Sequence, residues 1–250
     1  MVNDLMEILI TNDDGLHARG LEILAAEMEK LGHVTIVAPD GPRSGQSNAV
    51  TMGLPIRIRK VAETPQRVTY ISTGTPSDCV KLGLEVVYKD KRPDLVLAGI
   101  NHGSNAAVNV IYSGTMGAIF VAHEQQVPAI GFSLDNHLPD ADFSFMQPYI
   151  IPLVQKLLPL CKDACWNVNA PTGDLKGYLF ARQCKGLWVE DIVEQTDPLG
   201  QKGYWLAGYF KNTEPEATDT DLYAMQQGYI AVCPMTIDMT HYPTFEDLKI

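Results

Sequence analysis

The stretch that constrains this chain most is a short apolar segment that runs directly into two adjacent carboxylates. Residues 8–10 form an apolar run typical of a buried strand, and the turn-forming residues 12–15 follow it. Apolar residues then recur at helical spacing over residues 21–31. The pattern predicts a strand–turn–helix unit with Asp13 and Asp14 at the turn. In open α/β sheets, ligands bind at this end of a strand.

The neighbouring carboxylates of Asp13 and Asp14 allow two interpretations. Adjacent negative charges repel each other, so the pair is unfavourable unless a cation lies between them. Hard oxygen ligands of this kind suit Mg²⁺ or Mn²⁺. Alternatively, the two residues belong to a turn that caps the following helix, whose dipole favours a negative charge there. The stretch by itself leaves both interpretations open.

Composition bounds the class of protein. The chain has 250 residues, of which 46% are hydrophobic and 20% charged, a mix that can bury a sizeable core. Its net charge of -11 argues against a nucleic-acid polymer or an anionic membrane as partner, because both require a basic surface. No signal peptide or membrane-spanning run is visible, and the five cysteines are scattered. These features predict a reduced, cytoplasmic chain.

Strand and helix patterns alternate along the first part of the chain. This order predicts right-handed crossovers and a mostly parallel sheet flanked by helices. Beyond about residue 161 the pattern becomes richer in strands. We therefore expect a single domain over residues 1–250, with an α/β core to about 160 and a C-terminal part over 161–250. The predicted strands cover residues 34–38, 56–59, 68–72, 95–98, 129–133, 177–181, 203–208 and 229–232, and the later helices cover 116–124, 143–161 and 221–227.

Three polar loops each follow a predicted strand, and a doubly wound sheet brings all three to its carboxyl edge. They cover residues 12–14, 43–45 and 101–105. Their oxygen-bearing side chains can share one cation and leave positions open for water and a phosphate oxygen. The candidate ligands are Asp13, Asp14, Ser44 and Asn101.

A fourth polar segment, Ser113-Gly114-Thr115, opens a predicted helix. Free backbone N–H groups and the helix dipole favour an anion at such a position, although an ordinary Ser cap explains the same residues. His102 is a weaker candidate for proton transfer, and Arg43 either contacts a phosphate or faces solvent. Neither a G-x-x-x-x-G-K-[ST] loop nor a G-x-G-x-x-G turn is present, which argues against P-loop and dinucleotide-binding folds.

Taken together and in order, these segments resemble the SurE family, the survival-protein-E nucleotidases. The matching segments are residues 8–15, 37–40 with 44–45, 74–80, 99–105 and 112–115, with weaker matches at 167–169, 218–219 and 228–229. The resemblance implies a Rossmann-like α/β core with a C-terminal β-rich extension that exchanges between subunits, giving homodimers or homotetramers.

The resemblance also implies an activity and a set of site residues. The activity is metal-dependent release of phosphate from nucleoside 5′- or 3′-monophosphates, and from short polyphosphates. One Mg²⁺ or Mn²⁺ per subunit would be held by Asp13, Asp14, Ser44 and Asn101, with Asp13 and Asn101 acting in catalysis. On physical grounds, the helix start at Ser113, Gly114 and Thr115 would steady the phosphate, with Asn105 as a further candidate.

The chain departs from the family pattern at two places. Val121-Ala122 stand where the family commonly has Glu-Gly, and Cys233-Pro234-Met235 stand where it has Thr-Pro-Leu. Two other functions stay open at this point. One is a phosphatase of the haloacid-dehalogenase type, in which an Asp is phosphorylated, although that chemistry needs a D-x-D spacing rather than adjacent residues. The other is a nucleotide sensor that binds without turnover.

Overall fold

A computed structural model describes residues 5–190 and 192–248. The strands are β1 (Met6–Thr11), β2 (Gly32–Pro39), β3 (Ile58–Glu63), β4 (Arg67–Ser72), β5 (Leu95–His102), β6 (Ala129–Leu134), β7 (Cys165–Ala170), β8 (Tyr178–Phe180), β9 (Gly186–Val189), β10 (Ile192–Thr196), β11 (Lys202–Leu206), β12 (Tyr209–Asn212) and β13 (Ile230–Met235). The helices are α1 (Arg19–Met28), α2 (Pro76–Leu82), α3 (Gly114–Glu124), α4 (Gln147–Leu157), α5 (Asp221–Gln226) and α6 (Tyr242–Asp247).

Within the described residues, nine strands form one sheet in the order β3-β4-β2-β1-β5-β6-β7-β13-β8. The six consecutive strands β4-β2-β1-β5-β6-β7 are parallel to one another. β3 is antiparallel at one edge, and β13 runs antiparallel to β7 near the other. The predicted α/β fold with a mostly parallel sheet is therefore confirmed.

Helices cover both faces of the sheet, so its central strands are buried on both sides. On one face α1 and α4 pack over alternate residues of the strands, including Ile8 and Ile10 of β1. On the other face α2 and α3 pack over the intervening strand residues, whose side chains point the opposite way, including Leu9. This period-two division explains why residues 8–10 read as a continuous apolar run. No helix in the described part of the chain is both long and apolar enough to cross a bilayer.

Several predicted boundaries were wrong, each for a physical reason. β5 does not end at residue 98 but continues to His102 through an irregular register with β6. The predicted helix over 143–161 begins only at Gln147, because Pro148 fits the first turn of a helix, and Pro152 lies inside it. β7, β9, β10, β12 and α6 were not predicted. The alternation of Asn167 and Asn169 with apolar residues is a strand pattern that should have predicted β7, and both faces of this strand are buried.

Two nested antiparallel pairs, β9 with β12 and β10 with β11, form a ribbon separate from the main sheet. We call residues 186–190 and 192–212 the ribbon. All residues of β10 and β11 are exposed. Several are large and apolar, among them Trp205 and Leu206, which are 63% and 85% exposed. The strand-rich C-terminal part that the sequence predicts is thus present.

Candidate active site

The carboxyl ends of β1 and β5 meet at the centre of the sheet. β1 pairs with β2 on one side and with β5 on the other, which makes this the point where the strand order reverses. A crevice forms outside the sheet at such a switch point. The turn after β1 carries Asp13 and Asp14, while Asn101 and His102 are the last residues of β5 itself.

Asp13 is almost fully buried, and hydrogen bonds hold both its side chain and its backbone in place. The Thr115 hydroxyl donates to Asp13 Oδ1 at 2.5 Å, and the Arg43 backbone N–H donates to the Asp13 carbonyl oxygen at 2.7 Å. Burial raises the pKa of Asp13 to about 6; the Thr115 hydrogen bond opposes this shift and the neighbouring Asp14 charge adds to it. A Cβ on Gly114 would lie 3.0 Å from Asp13 Cβ, so glycine lets α3 approach the carboxylate.

Asp14 is half-buried and linked to the end of β5. The His102 backbone N–H donates to Asp14 Oδ2 at 3.2 Å. Burial raises the pKa of Asp14, while that hydrogen bond and the charges of His102 and His137 oppose the shift. The His102 ring lies edge-on to Phe143, and its Nδ1 is 3.1 Å from the Leu138 carbonyl oxygen. These contacts anchor the ring that sequence analysis considered for proton transfer.

One cavity of about 370 Å³ brings together most of the predicted site residues. Asn101 is 8% exposed and donates its amide N–H to the Gly103 carbonyl oxygen at 2.7 Å. That bond leaves the Asn101 amide oxygen as the atom a cation would use. The cavity is lined by Asp13, Ser44, Gly45, Asn101, His102, Gly103, Ser104, Asn105, Asn109, Tyr112, Ser113, His137 and Trp188.

A buried network of amide hydrogen bonds surrounds Asn105, which lines the cavity. Its backbone N–H donates to Asn169 Oδ1 at 2.8 Å, and its side-chain amide donates to the Ser133 hydroxyl at 2.8 Å. Asn167 donates to the Asn105 carbonyl oxygen, and Asn169 donates to Asn167 Oδ1. The weak sequence match at residues 167–169 therefore has a physical role: these amides fix the loop after β5.

The start of α3 faces the same cavity through Ser113. Its hydroxyl accepts from the Met116 N–H at 3.0 Å, as a helix cap does. The N–H groups of the first turn have no partner within the helix. Asp14, Gly114 and Thr115 do not line the cavity, and the Thr115 hydroxyl is committed to Asp13. A phosphate contact at Gly114 or Thr115 stays a prediction.

The donors at this edge fit a hard divalent cation. Within residues 5–190 and 192–248, neither Asp13 nor Asp14 forms an ion pair, and the Arg43 guanidinium pairs with Asp40 at 2.7 Å instead. Burial raises the pKa values of both adjacent carboxylates, and no ion pair in this part of the chain offsets that cost. No described group of three or more His, Cys, Asp or Glu forms a metal cluster, so the remaining ligands would be the neutral oxygens of Ser44 and Asn101.

Comparison with known proteins agrees with this geometry. The family model for "Survival protein SurE" matches residues 8–190. The chain belongs to the SurE family. It is 45% identical to 5'-nucleotidase SurE of Phocaeicola vulgatus, over 97% of this chain and 95% of the relative. It is 42% identical to 5'-nucleotidase SurE of Bacteroides thetaiotaomicron, over 97% and 94%. The crystal structure of the SurE protein from Aquifex aeolicus superposes with a TM-score of 0.82 at 33% identity, covering 97% and 98% of the two chains.

Three cavity residues of this SurE chain lie outside every segment that the sequence pattern singled out. His137 lies just after β6, so the rule that placed the other loops at the carboxyl edge would also have found it. Asn109 lies in a 3₁₀ segment after β5, and Trp188 lies on β9 of the ribbon. Trp188 carries no local signal, because only the tertiary structure brings the ribbon to the cavity.

The two departures from the SurE pattern lie away from the cavity lining. Val121 is buried on α3 in the core on that face of the sheet. Cys233 is buried on β13 and lies opposite Asn167 of β7. Neither residue contributes to the cavity around Asp13.

Proposed function

We propose that this chain is a metal-dependent nucleotidase that hydrolyses nucleoside 5′-monophosphates to nucleoside and phosphate at the cavity around Asp13. Its relatives are named 5'-nucleotidase SurE and match nearly its full length, so the enzyme class follows from the family. The observation that carries the proposal is the cavity itself. It brings together the buried carboxylate of Asp13, the neutral side-chain oxygens of Ser44 and Asn101, and the start of α3 at Ser113.

Each residue has a defined part in the proposed reaction. Asp13, Asp14, Ser44 and Asn101 would hold one Mg²⁺ or Mn²⁺ per subunit, which supplies charge neutralisation and a more acidic bound water. Asp13 orients the attacking water in line with phosphorus, and Thr115 keeps the Asp13 carboxylate in place. The start of α3, Ser113 to Thr115, and Asn105 steady the phosphate oxygens.

The proposal is tested by phosphate release from a panel of nucleoside 5′- and 3′-monophosphates, a short polyphosphate and an aryl phosphate. Each substrate is assayed with Mg²⁺, with Mn²⁺ and with EDTA. We expect release from 5′-monophosphates that EDTA abolishes and that Asp13→Asn lowers by roughly a thousandfold or more. Asp163→Asn is the matched control, because Asp163 is exposed and does not line the cavity.

Other results of the same panel distinguish the alternatives. Folded, metal-bound protein that binds a nucleoside monophosphate but releases no phosphate would be a sensor. A phosphoenzyme trapped during turnover would indicate haloacid-dehalogenase chemistry. Activity towards 3′-monophosphates and polyphosphate is a finer part of the proposal, which the panel measures directly.

A second part of the proposal concerns assembly. The ribbon exposes large apolar residues along β10 and β11, which a single chain leaves in water. We infer that a second copy covers it, giving a homodimer or homotetramer, and that residues 1–250 act as one domain whose C-terminal part serves assembly. Light scattering after gel filtration should report an oligomer for the native chain and a smaller species for Trp205→Glu, whose ring is exposed on β11 and lines neither cavity near Trp188. A monomeric native chain would contradict it. The cytoplasmic location stays a prediction.

A further inference from the structure

We propose that Tyr112 and Trp188 form the surface that receives the nucleobase of the substrate. The inference rests on the proposed nucleotidase function and adds to it the part of the substrate that the ion-binding end of the cavity cannot recognise. It assigns a specificity role to the ribbon, whose β9 carries Trp188.

The first observation is a shared wall between two cavities. Tyr112 and Trp188 line the cavity that contains Asp13 and Ser113, and they also line a second cavity of about 540 Å³. The second cavity is otherwise lined by Leu206, Ala207 and Gly208, which carry no charged group. The two rings therefore stand where the polar cavity gives way to an apolar one.

The second observation is that both rings are partly free while Trp188 is fixed. Trp188 and Tyr112 are 38% and 52% exposed, so each keeps ring surface available for contact. The Trp188 indole N–H donates to Asn109 Oδ1 at 3.0 Å, and Phe210 lies edge-on to the indole with ring centroids 6.5 Å apart. A ring held in this way loses little side-chain entropy when a flat ligand stacks on it.

A third observation ties the two aromatic segments to one anchor. Asp221 is 1% exposed, and its carboxylate accepts backbone N–H groups from Ala107 at 2.8 Å and from Cys184 at 2.9 Å. Ala107 begins the 3₁₀ segment that ends at Tyr112, and Cys184 lies two residues before β9. The buried carboxylate therefore fixes the distance between the segments that carry the two rings.

The chemistry of a nucleoside monophosphate matches this layout. Its phosphate is a doubly charged group for the cation and the start of α3, and its base is a flat, uncharged ring system. Stacking on aromatic side chains tolerates every base, because each base has a π-face. Tyr112 directly precedes Ser113, so a phosphate at Ser113 leaves the rest of the nucleotide close to the rings. We expect an enzyme that requires a base but discriminates weakly among bases.

The test compares a substrate with a base and one without it, guanosine 5′-monophosphate and ribose 5-phosphate. The readout is the ratio of their kcat/KM values. We expect Trp188→Ala to lower this ratio about tenfold, equivalent to about 1.4 kcal/mol, mainly through KM for the nucleotide. Trp188→Phe should retain most of the ratio. Phe180→Ala, which removes an exposed ring that lines neither cavity, should leave it unchanged.

An unchanged ratio in Trp188→Ala would overturn the inference, whether both kcat/KM values stay at their native level or both fall equally, the latter indicating a structural role. Failure of the proposed function looks different, because the native chain would then release phosphate from neither substrate. In that case equilibrium dialysis of guanosine 5′-monophosphate against the native chain and Trp188→Ala decides the inference separately. Equal binding by the two proteins would then contradict it.

Discussion

The carboxyl edge of the sheet and the ribbon differ in which side chains they bury and which they expose. At the edge, several buried polar side chains have a hydrogen-bond partner within the chain, as Asp13 has Thr115 and Asn105 has Ser133. In the ribbon, large apolar side chains such as Trp205 and Leu206 stand in water. The edge is therefore organised by a single chain, whereas the ribbon lacks a covering surface of its own.

The two regions are stabilised by different interactions. Burying a polar group is unfavourable unless it is hydrogen-bonded, so the edge is stable only in the arrangement that satisfies its amides and carboxylates. The conformation of the ribbon depends on its strand pairing and on what covers its apolar surface. The position of Trp188 in the cavity wall depends on the same two things, because Trp188 belongs to the ribbon. Substitutions in the two regions should accordingly have different consequences.

The largest contrast should be in stability. Phe132 is fully buried in β6, whereas Leu199 is 84% exposed between β10 and β11. We expect Phe132→Ala to lower the free energy of unfolding by about 3–5 kcal/mol, because it removes ring contacts and leaves a cavity. Leu199→Ala should change it by less than about 0.5 kcal/mol. Urea unfolding at one protein concentration measures both, and similar losses would remove the distinction between the regions.

The next contrast concerns a glycine in each region. In Gly114→Ala the new Cβ would lie 3.0 Å from Asp13 Cβ and 3.2 Å from its Oδ2, so the carboxylate must shift. We expect kcat/KM to fall roughly a hundredfold, as misplacement of a catalytic group does. Gly203→Ala is the control, because its Cβ would meet only the Gln195 carbonyl oxygen at 3.9 Å. Unaltered kinetics in Gly114→Ala would mean that Asp13 tolerates displacement.

Substitution of Thr115 removes a hydrogen bond to Asp13 and leaves the Asp13 carboxylate itself unchanged. Thr115→Val keeps the shape of the side chain but removes the hydroxyl that donates to Asp13 Oδ1. We expect Mn²⁺ affinity to fall by about 10–100-fold, as it does when a hydrogen-bond partner of a metal ligand is lost. Thr115→Ser should retain most of the affinity. Calorimetric titration of Mn²⁺ checks both, and tight binding by the Val variant would show that Thr115 does not support a ligand.

The smallest expected effect is a pH dependence in the core that the ribbon lacks. Burial acts to raise the pKa of Glu27, but hydrogen bonds from Lys30 and Gln147 outweigh it and lower the pKa below 4.5. A depressed pKa in the folded state adds stability above the unfolded value, and this stability is lost as the pH falls through and below about 4.5. Glu27→Gln should therefore lose more stability at pH 7 than at pH 3. Glu194→Gln, in the exposed pair with Lys202, should differ little between the two pH values.

Local sequence pattern was sufficient for the strand–turn–helix unit at Asp13 and for the gathering of polar loops at one edge. An apolar run, turn residues and helical spacing are short-range signals, and the geometry of parallel sheets then places Ser44, Asn101 and Ser113 near Asp13. The resemblance to the SurE family added the expected role of each residue. His137 follows β6 and therefore lies at the same carboxyl edge of the sheet.

Pairings between distant residues were decided only by the tertiary structure. The Thr115 hydroxyl finds Asp13 across 102 positions, and Trp188 finds Asn109 across 79. β5 extends to His102 because its neighbour β6 continues the pairing past an irregular register, which no pattern in residues 99–102 indicates. The sequence by itself determined the fold class and which polar loops converge, since these follow from local periodicity. The contacts between individual atoms of those loops depend on packing between elements that are far apart in the chain. Only the folded structure decided these contacts.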